Sequence, residues 1–278
     1  MSQFDYYNGT FIPSGEPVFS ANSRAVRYGD GLFETIKMLN GKLLLGEYHF
    51  NRLFSGLKLL KFEIPTHFTP AFISDAILAL CKKNGTEKAA RIRLSVLRGD
   101  GGLYDAEDPQ PNLLIQCWPI GHQAQELNEN GLITDIFSEA RKCFDHFSHL
   151  KSNNYLPYVM GAMYAREHAL NDVVLLNVDG QICETTISNI FCVKNDTIFT
   201  PPLNAGCIDG VMRRYLLANA GNFHFTEKAI TADFLMNADE IFFTNAMGLR
   251  WVAKCGGKEF GKKLSVELHE QLIRPMFH

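Results

Sequence analysis

The chain has 278 residues, 46% of them apolar and 21% charged, with a formal net charge of -3. Scattered charge of both signs offers no basic stripe for nucleic acid and no like-charge tail. Twelve per cent aromatic residues, 21 of them Phe, point to a substantial core rather than disorder.

The opening "MSQFDYYNGTFIPSGEP" lacks a basic stretch followed by an apolar one, so no signal peptide is expected. No apolar run reaches the roughly 18 to 20 residues a membrane helix needs. Seven dispersed cysteines read as reduced thiols, and the expected location is cytoplasmic. Cys143, His146 and His149 lack a fourth ligand at recognisable spacing, so no metal is expected and the stretch reads as a polar loop.

In chain order, "GTFIP" and "PVFSAN" read as short strands among turn signals. "GLFETIKMLNGKLLLG" reads as a hairpin around Asn40-Gly41. Phe50, Leu53, Phe54, Leu57 and Leu60 lie at helical spacing, and Pro65 closes that helix. "PAFISDAILALCKKNG" predicts a second helix, capped by Gly85. "AARIRLSVLRG" alternates as a strand should, with "NLLIQCWPI" as its neighbour.

From about residue 121 the polar stretch "GHQAQELNENG" reads as a linker. The predicted division is 1–120, linker 121–130 and 131–278. Beyond the linker come a helix through "LPYVMGAMYAREHAL", expected to be mostly buried, and strands at "DVVLLNVDG", "SNIFCVKN" and "DTIFTPP". A helix at "GVMRRYLLANAGN", a strand at "EIFFTNAMG" and a C-terminal helix complete the chain. Helices and strands mix without strict alternation, so the fold class is α+β in two parts.

Candidate chemistry is spread along this order. Lys151, just before a helix, becomes a nucleophile or base if desolvated, and an exposed loop lysine otherwise. Glu184 follows an apolar strand and a turn at Asp179-Gly180. Alternation puts it on the same face as Ile182, where a buried carboxylate needs a partner; a rim acid or a cap is the plainer reading. Arg52 stands beside the apolar stripe of its helix, able to hold a phosphate or to cover the stripe with its stem. "NAGCIDGVMRR" leads a turn into a helix N-terminus that suits a phosphate, and "TNAMG" is a second such loop. Arg91 and Arg93 flank Ile92, so they share one face of their strand and suit a carboxylate.

Four motifs in order, "RYGDGLFETIKMLNGKLLLGEYHFNRL", "LKSNNYL", "NVDGQICETTISNIF" and "TPPLNAGCIDGVMRR", resemble the fold-type IV pyridoxal phosphate enzymes. These are the class IV aminotransferases: branched-chain and D-amino acid aminotransferases, and aminodeoxychorismate lyase. The resemblance spans residues 24–250. It implies a smaller N-terminal α/β domain and a larger C-terminal domain with a mixed, barrel-like sheet. It implies pyridoxal 5'-phosphate as cofactor, amino acid and oxo acid substrates, and a homodimer.

Residue by residue, the resemblance implies that Lys151 forms the imine with the cofactor and shuttles the Cα proton. Glu184 matches the acid at the pyridine nitrogen. Arg52 matches the phosphate arginine of an H-x-x-R-L helix completed by His49. The backbone at Val211, Met212, Asn245 and Ala246 completes the phosphate cup, and Tyr155 resembles the tyrosine near the ring's 3-oxygen. Tyr28, Arg91 and Arg93 fall where relatives bind the substrate carboxylate.

Gly210-Val211-Met212-Arg213, Asn245-Ala246-Met247 and Thr35 resemble the lyase more than the transaminases. Leu103, where the lyase has an arginine, and the Asn154-Tyr155 pair depart from it. The expected activity is amino-group transfer, with the lyase reaction as alternative. A catalytically silent binding relative is a third reading, which intact Lys151, Glu184 and Arg52 oppose.

Overall fold

A computed structural model describes residues 3–277. The chain divides into two compact units, Met1–Gly121 with Leu150–Asn154, and His122–His149 with Tyr155–His278.

The first unit contains β1 (Phe4–Tyr7), β2 (Thr10–Pro13), α1 (Arg24–Tyr28), β3 (Gly31–Leu39), β4 (Lys42–Leu43), α2 (Gly46–Leu59), α3 (Pro70–Asn84), β5 (Ala89–Arg98) and β6 (Pro111–Pro119). Its antiparallel sheet has the order β2-β1-β6-β5-β3-β4. The β3–β4 hairpin turns at Asn40 (φ 48°) and Gly41 (φ 75°), the doubly left-handed turn that matches strand twist. In α3, Pro70 opens the helix, the Thr69 hydroxyl accepts from the Phe72 amide, and Gly85 closes it at φ 66°. Ile36, Met38, Ile92, Leu94 and Ile115 form the sheet's side of the core, against Leu53, Leu57, Ile73, Ile77 and Leu80 of α2 and α3.

Two expectations fail here. "PVFSAN" forms no strand: residues 17–22 are loop and turn. The α2 helix stops at Leu59, ahead of Pro65, where the chain turns through Lys61 at φ 58°.

The sequence division leaves Leu150–Asn154 in the second domain, yet this segment belongs to the first unit. The reason is backbone pairing along β3. The Phe33 amide donates to the Lys151 carbonyl at 2.9 Å, and the Asn153 amide donates to the Gly31 carbonyl at 3.1 Å. Leu150 is buried in the same core.

The second unit contains β7 (Leu132–Lys142), α4 (Leu156–Glu167), β8 (Asp172–Asn177), β9 (Ile182–Thr185), β10 (Asn189–Lys194), β11 (Thr197–Thr200), α5 (Val211–Ala218), β12 (His224–Glu227), α6 (Ala232–Met236), β13 (Glu240–Asn245), β14 (Gly248–Cys255), β15 (Lys258–Glu259) and α7 (Lys263–Leu268). Its sheet runs β12-β11-β10-β13-β14-β7-β8-β9, with β15 on β14. The β11–β12, β14–β7 and β7–β8 pairs are parallel, and the rest are antiparallel.

Five strand steps separate β9 from β10 in that order, roughly 24 Å if the sheet were flat. Only residues 186–188 join them, a reach of about 14 Å at full extension. The sheet must therefore curl, which gives the barrel-like form.

Both faces of this sheet are covered. Val174, Ile190, Ile241, Phe243 and Val252 pack with Leu235 and Phe260 on one side. Phe137, Val173 and Leu175 pack with Tyr158 and Ala165 of α4 on the other. That explains the unbroken apolar run of β8, buried at every position.

The sequence expectation of a mostly buried α4 is wrong. Only Tyr158, Gly161 and Ala165 are buried, because Gly161 lies flat against Val173, Leu175 and Thr186. Leu156, Val159, Met160 and Met163 form an exposed stripe. Among the described residues, no helix is long and apolar enough to cross a membrane.

Candidate active site

Predicted site residues occur in both units, and each unit has its own local logic.

In the first unit, β3 lies opposite β5 with Thr35 facing Arg93 and Lys37 facing Arg91. Directly opposed residues share a face, so Phe33, Thr35, Lys37, Arg91 and Arg93 lie on one face, where Phe33 and Lys37 are buried. The core packs against the other face. The Lys151 ammonium lies 4.4 Å from the centre of the Phe33 ring, and the Arg93 guanidinium lies 4.2 Å from it. Arg91 stacks on Trp118 at 4.7 Å.

Tyr28 is not gathered with them. Its ring meets Tyr104 at 5.8 Å and the Arg24 guanidinium at 5.1 Å, and among the described residues it contacts neither Arg91 nor Arg93. Arg24 in turn donates to the Gly101, Leu103 and Tyr104 carbonyls, and pairs with Asp30.

The opposite face of β3 carries an acid among apolar residues. Glu34 is 1% exposed and meets both polar groups of the H-x-x-R-L pattern on α2. Arg52 donates to it through Nε at 2.8 Å and Nη2 at 2.5 Å, and His49 Nδ1 lies 2.6 Å away. Burial pushes the Glu34 carboxyl up, but Arg52 and His49 outweigh it and hold it at about 2. Burial also pulls the His49 imidazole down; Glu34 opposes this, while Arg52 and Lys151 add to it, and the net shift is downward. Arg52 thus has a structural partner that the sequence reading did not assign. The available signal was an acid alternating in phase with Leu32, Ile36 and Met38.

In the second unit, Glu184 is 2% exposed. Alternation expects it on the face of Ile182, and this is incorrect. Leu175 pairs with Glu184 but Leu176 pairs with Ile182, so a bulge at Cys183 resets the phase. Ile182 joins the core with Leu176, and Glu184 turns toward α4. There its Oε1 accepts from the Tyr158 hydroxyl at 2.6 Å and pairs with the Lys142 ammonium, while Oε2 accepts from the Ile208 amide at 3.0 Å. Burial pulls the Lys142 ammonium down, but the Glu184 carboxylate outweighs this and holds it above its ordinary value. Burial and Glu184 together push the Tyr158 phenol well up, so it stays protonated as a donor. Neither Lys142 nor Tyr158 was singled out from the sequence. Tyr155 stands at the N-cap of α4, with its ring 5.9 Å from that of Tyr158.

The predicted phosphate cup lies where α5 begins. Gly210 is the N-cap and gives no side-chain cap, leaving the first-turn amides of Val211 and Met212 without intrahelical partners. A Cβ on Gly210 would lie 1.8 Å from the Asn189 Oδ1. Asn189 is in register with Thr244, so the two side chains share a face. The Thr244 hydroxyl is buried with no hydrogen-bond partner among the described residues. An orphaned buried hydroxyl costs about 1–3 kcal/mol, a cost that a ligand bound on this face would relieve. Asn245 Nδ2 is spent on Ser188 Oγ and the Ile187 carbonyl, and its Oδ1 accepts from the Met247 amide. The backbone at Asn245 and Ala246, rather than the Asn245 side chain, is therefore what that turn can present. This donor set fits the phosphate of the implied cofactor, and the buried Glu184 fits its ring nitrogen. Among the described residues, no group of three or more His, Cys, Asp or Glu side chains could hold a metal.

Comparison with known proteins identifies the family. The profile of the amino-transferase class IV family matches residues 31–255. An aminodeoxychorismate lyase of Bacillus subtilis is 30% identical over 251 residues, covering 87% of this chain and 83% of the relative. A D-alanine aminotransferase of Bacillus licheniformis is 27% identical over 256 residues, covering 86% and 83%. The crystal structure of a branched-chain aminotransferase from Thermoproteus uzoniensis with norvaline superposes with a TM-score of 0.88, at 25% identity, covering all of this chain and 95% of that one. The chain belongs to the class IV aminotransferase family, with the fold-type IV architecture.

Proposed function

We propose that this protein is a pyridoxal 5'-phosphate-dependent aminotransferase that moves an amino group between an amino acid and a 2-oxo acid. The observation that carries the reading is Lys151. It is fixed by backbone pairing to β3, with its ammonium against Phe33 beside Arg93, in a chain of this family.

When bound, the cofactor supplies an aldehyde that couples to amines and a ring that takes up electrons from the substrate's Cα. In this reading Lys151 carries the amine that holds the cofactor and then moves the proton at Cα, acting at very high effective concentration. Glu184 accepts the ring N–H and keeps that proton in place. Arg52 and the amides of Val211, Met212, Asn245 and Ala246 hold the phosphate and so align the ring. Tyr155 would serve the ring's 3-oxygen. Arg91 and Arg93 receive the substrate carboxylate, while Tyr28 stands apart from them beside Tyr104.

The lyase alternative is supported by Gly210-Val211-Met212-Arg213, Asn245-Ala246-Met247 and Thr35; overall identity does not separate the readings, at 30% to the Bacillus subtilis lyase and 31% to a putative branched-chain aminotransferase of Methanocaldococcus jannaschii. A homodimer is supported by the stripe of Leu156, Val159, Met160 and Met163, exposed by 41–72%. Seven free cysteines support a reducing, cytoplasmic setting.

The test is direct. Purified protein is reconstituted with pyridoxal 5'-phosphate and assayed with L- and D-amino acids against 2-oxoglutarate or pyruvate. Aminodeoxychorismate is assayed in parallel for release of 4-aminobenzoate and pyruvate. Transamination that disappears in Lys151→Ala, together with the visible cofactor band, supports the proposal. Turnover of aminodeoxychorismate alone selects the lyase, and no cofactor band in the wild type rejects both. Light scattering reads the mass of the assembly.

A further inference from the structure

A carboxylate offers about four acceptor positions, two on each oxygen. At Glu184 the chain itself fills three of them. Lys142 and the Tyr158 hydroxyl take Oε1, and the Ile208 amide takes one side of Oε2. Among the described residues one position remains, and it is on Oε2.

The position of Lys142 results from a defect in the strand. In β7, Phe137 pairs with Leu175 but Arg141 pairs with Leu176, so the ladder skips residues 138–140. Regular alternation puts residues 137 and 142 on opposite faces. The bulge puts them on the same one, because Lys142 pairs with Asn177, two residues on from Leu175. Leu175 in turn pairs with Glu184. Phe137, Lys142 and Glu184 therefore all face α4, where Tyr158 lies 5.1 Å below the Lys142 ammonium. Bulges re-aim side chains next to functional sites in this way.

We infer that Lys142 is a positioning residue: with Tyr158 it immobilises Oε1 of Glu184, so that Oε2 alone is left to accept the ring N–H of the cofactor. This rests on the proposed pyridoxal phosphate function. A buried carboxylate retains its charge when it is paired, and Lys142 is the cation that pairs it. With Lys142 removed, the carboxylate loses both its counter-charge and the contact that sets its rotation.

The test compares pyridoxal 5'-phosphate with its 1-deaza analogue, in which carbon replaces the ring nitrogen. Dissociation constants are measured for the wild type, Lys142→Met, Lys142→Arg and Tyr158→Phe. The thermal midpoint of each apoprotein is recorded as the check on fold. The wild type is expected to prefer the natural cofactor by roughly tenfold, the scale of one charge-assisted hydrogen bond. Lys142→Met should bring that ratio close to one, and Lys142→Arg should restore most of it. Tyr158→Phe removes one donor and keeps the ring, so it reads the same clamp if Lys142→Met does not fold. Its ratio should fall about threefold, since a neutral donor is the weaker of the two. An unchanged or increased ratio in the folded variants overturns the inference, as does a wild type that binds both compounds equally. A wild type that binds neither rejects the functional reading itself.

Discussion

Phe33 holds Lys151 twice: its amide donates to the Lys151 carbonyl at 2.9 Å, and its ring lies 4.4 Å from the Lys151 ammonium. The first contact fixes where the lysine leaves the backbone, and the second fixes where its amine rests. Arg93 shares the same ring, so one phenyl group orients the proposed nucleophile and a proposed carboxylate-binding cation together.

Replacing the ring should therefore separate position from fold. Phe33→Leu keeps an apolar side chain and the backbone pairing but removes the π face, worth about 0.5–2 kcal/mol to a nearby cation. We expect kcat/KM to fall at least roughly tenfold, with the thermal midpoint lowered by only a few degrees. Unchanged kinetics in a folded Phe33→Leu protein would show that the ring does not orient Lys151.

Glu34 predicts acid sensitivity. Its carboxyl is held at about 2 in the fold, against an ordinary value of 4.5. A depressed carboxyl stabilises the fold above the unfolded value and loses that contribution as pH falls through the folded one. The shift corresponds to about 3 kcal/mol, fully present near neutral pH and lost between about pH 4.5 and 2. His49 acts in the same direction from higher pH. Its folded value is depressed, so the unfolded chain takes up its proton first as pH falls below about 6.5. Urea midpoints from pH 7 to 3 should drop steeply in the wild type and less in Glu34→Gln, which starts lower. Parallel slopes for the two proteins would contradict the assignment.

Gly210 marks a close approach rather than a conformational need, since its φ is an ordinary -66°. Gly210→Ala puts a methyl group into the Asn189 amide and displaces the start of α5. The expected result is cofactor binding weakened at least roughly tenfold, measured by equilibrium dialysis. Wild-type affinity in this variant would mean that the α5 amides do not hold the phosphate.

Gly56 sits mid-helix in α2, where alanine would gain about 1 kcal/mol in helix propensity. Its Cβ would come 2.6 Å from Leu32 Cδ1 and 3.2 Å from Leu150 Cδ2. Both leucines are buried, and overpacking of this kind costs about 1–3 kcal/mol. Gly56→Ala should lower the thermal midpoint and, because Leu150 adjoins Lys151, also slow turnover. A stabilised variant would show that helix propensity dominates at this position.

The chain's periodicity was readable wherever one face is buried and the other wet, as in α3, β5 and β6. It misled where an element has unusual neighbours. The stripe of α4 reads as buried because it is apolar, yet Tyr158, Gly161 and Ala165 do the packing and Leu156, Val159, Met160 and Met163 face outward. Glu184 reads as sharing the face of Ile182 because alternation is assumed, and a single inserted residue reverses it.

Sequence alone determined the family, the order of the elements, and the residue types of the candidate site. Those are local patterns or matched motifs, and they do not depend on where distant parts of the chain meet. The partners that make Arg52 and Glu184 what they are came only from the folded chain. Glu34 reaches Arg52 across 18 positions, and Lys142 reaches Glu184 across 42. Strand register and two bulges decide those meetings, and register is a property of paired strands that neither strand carries by itself.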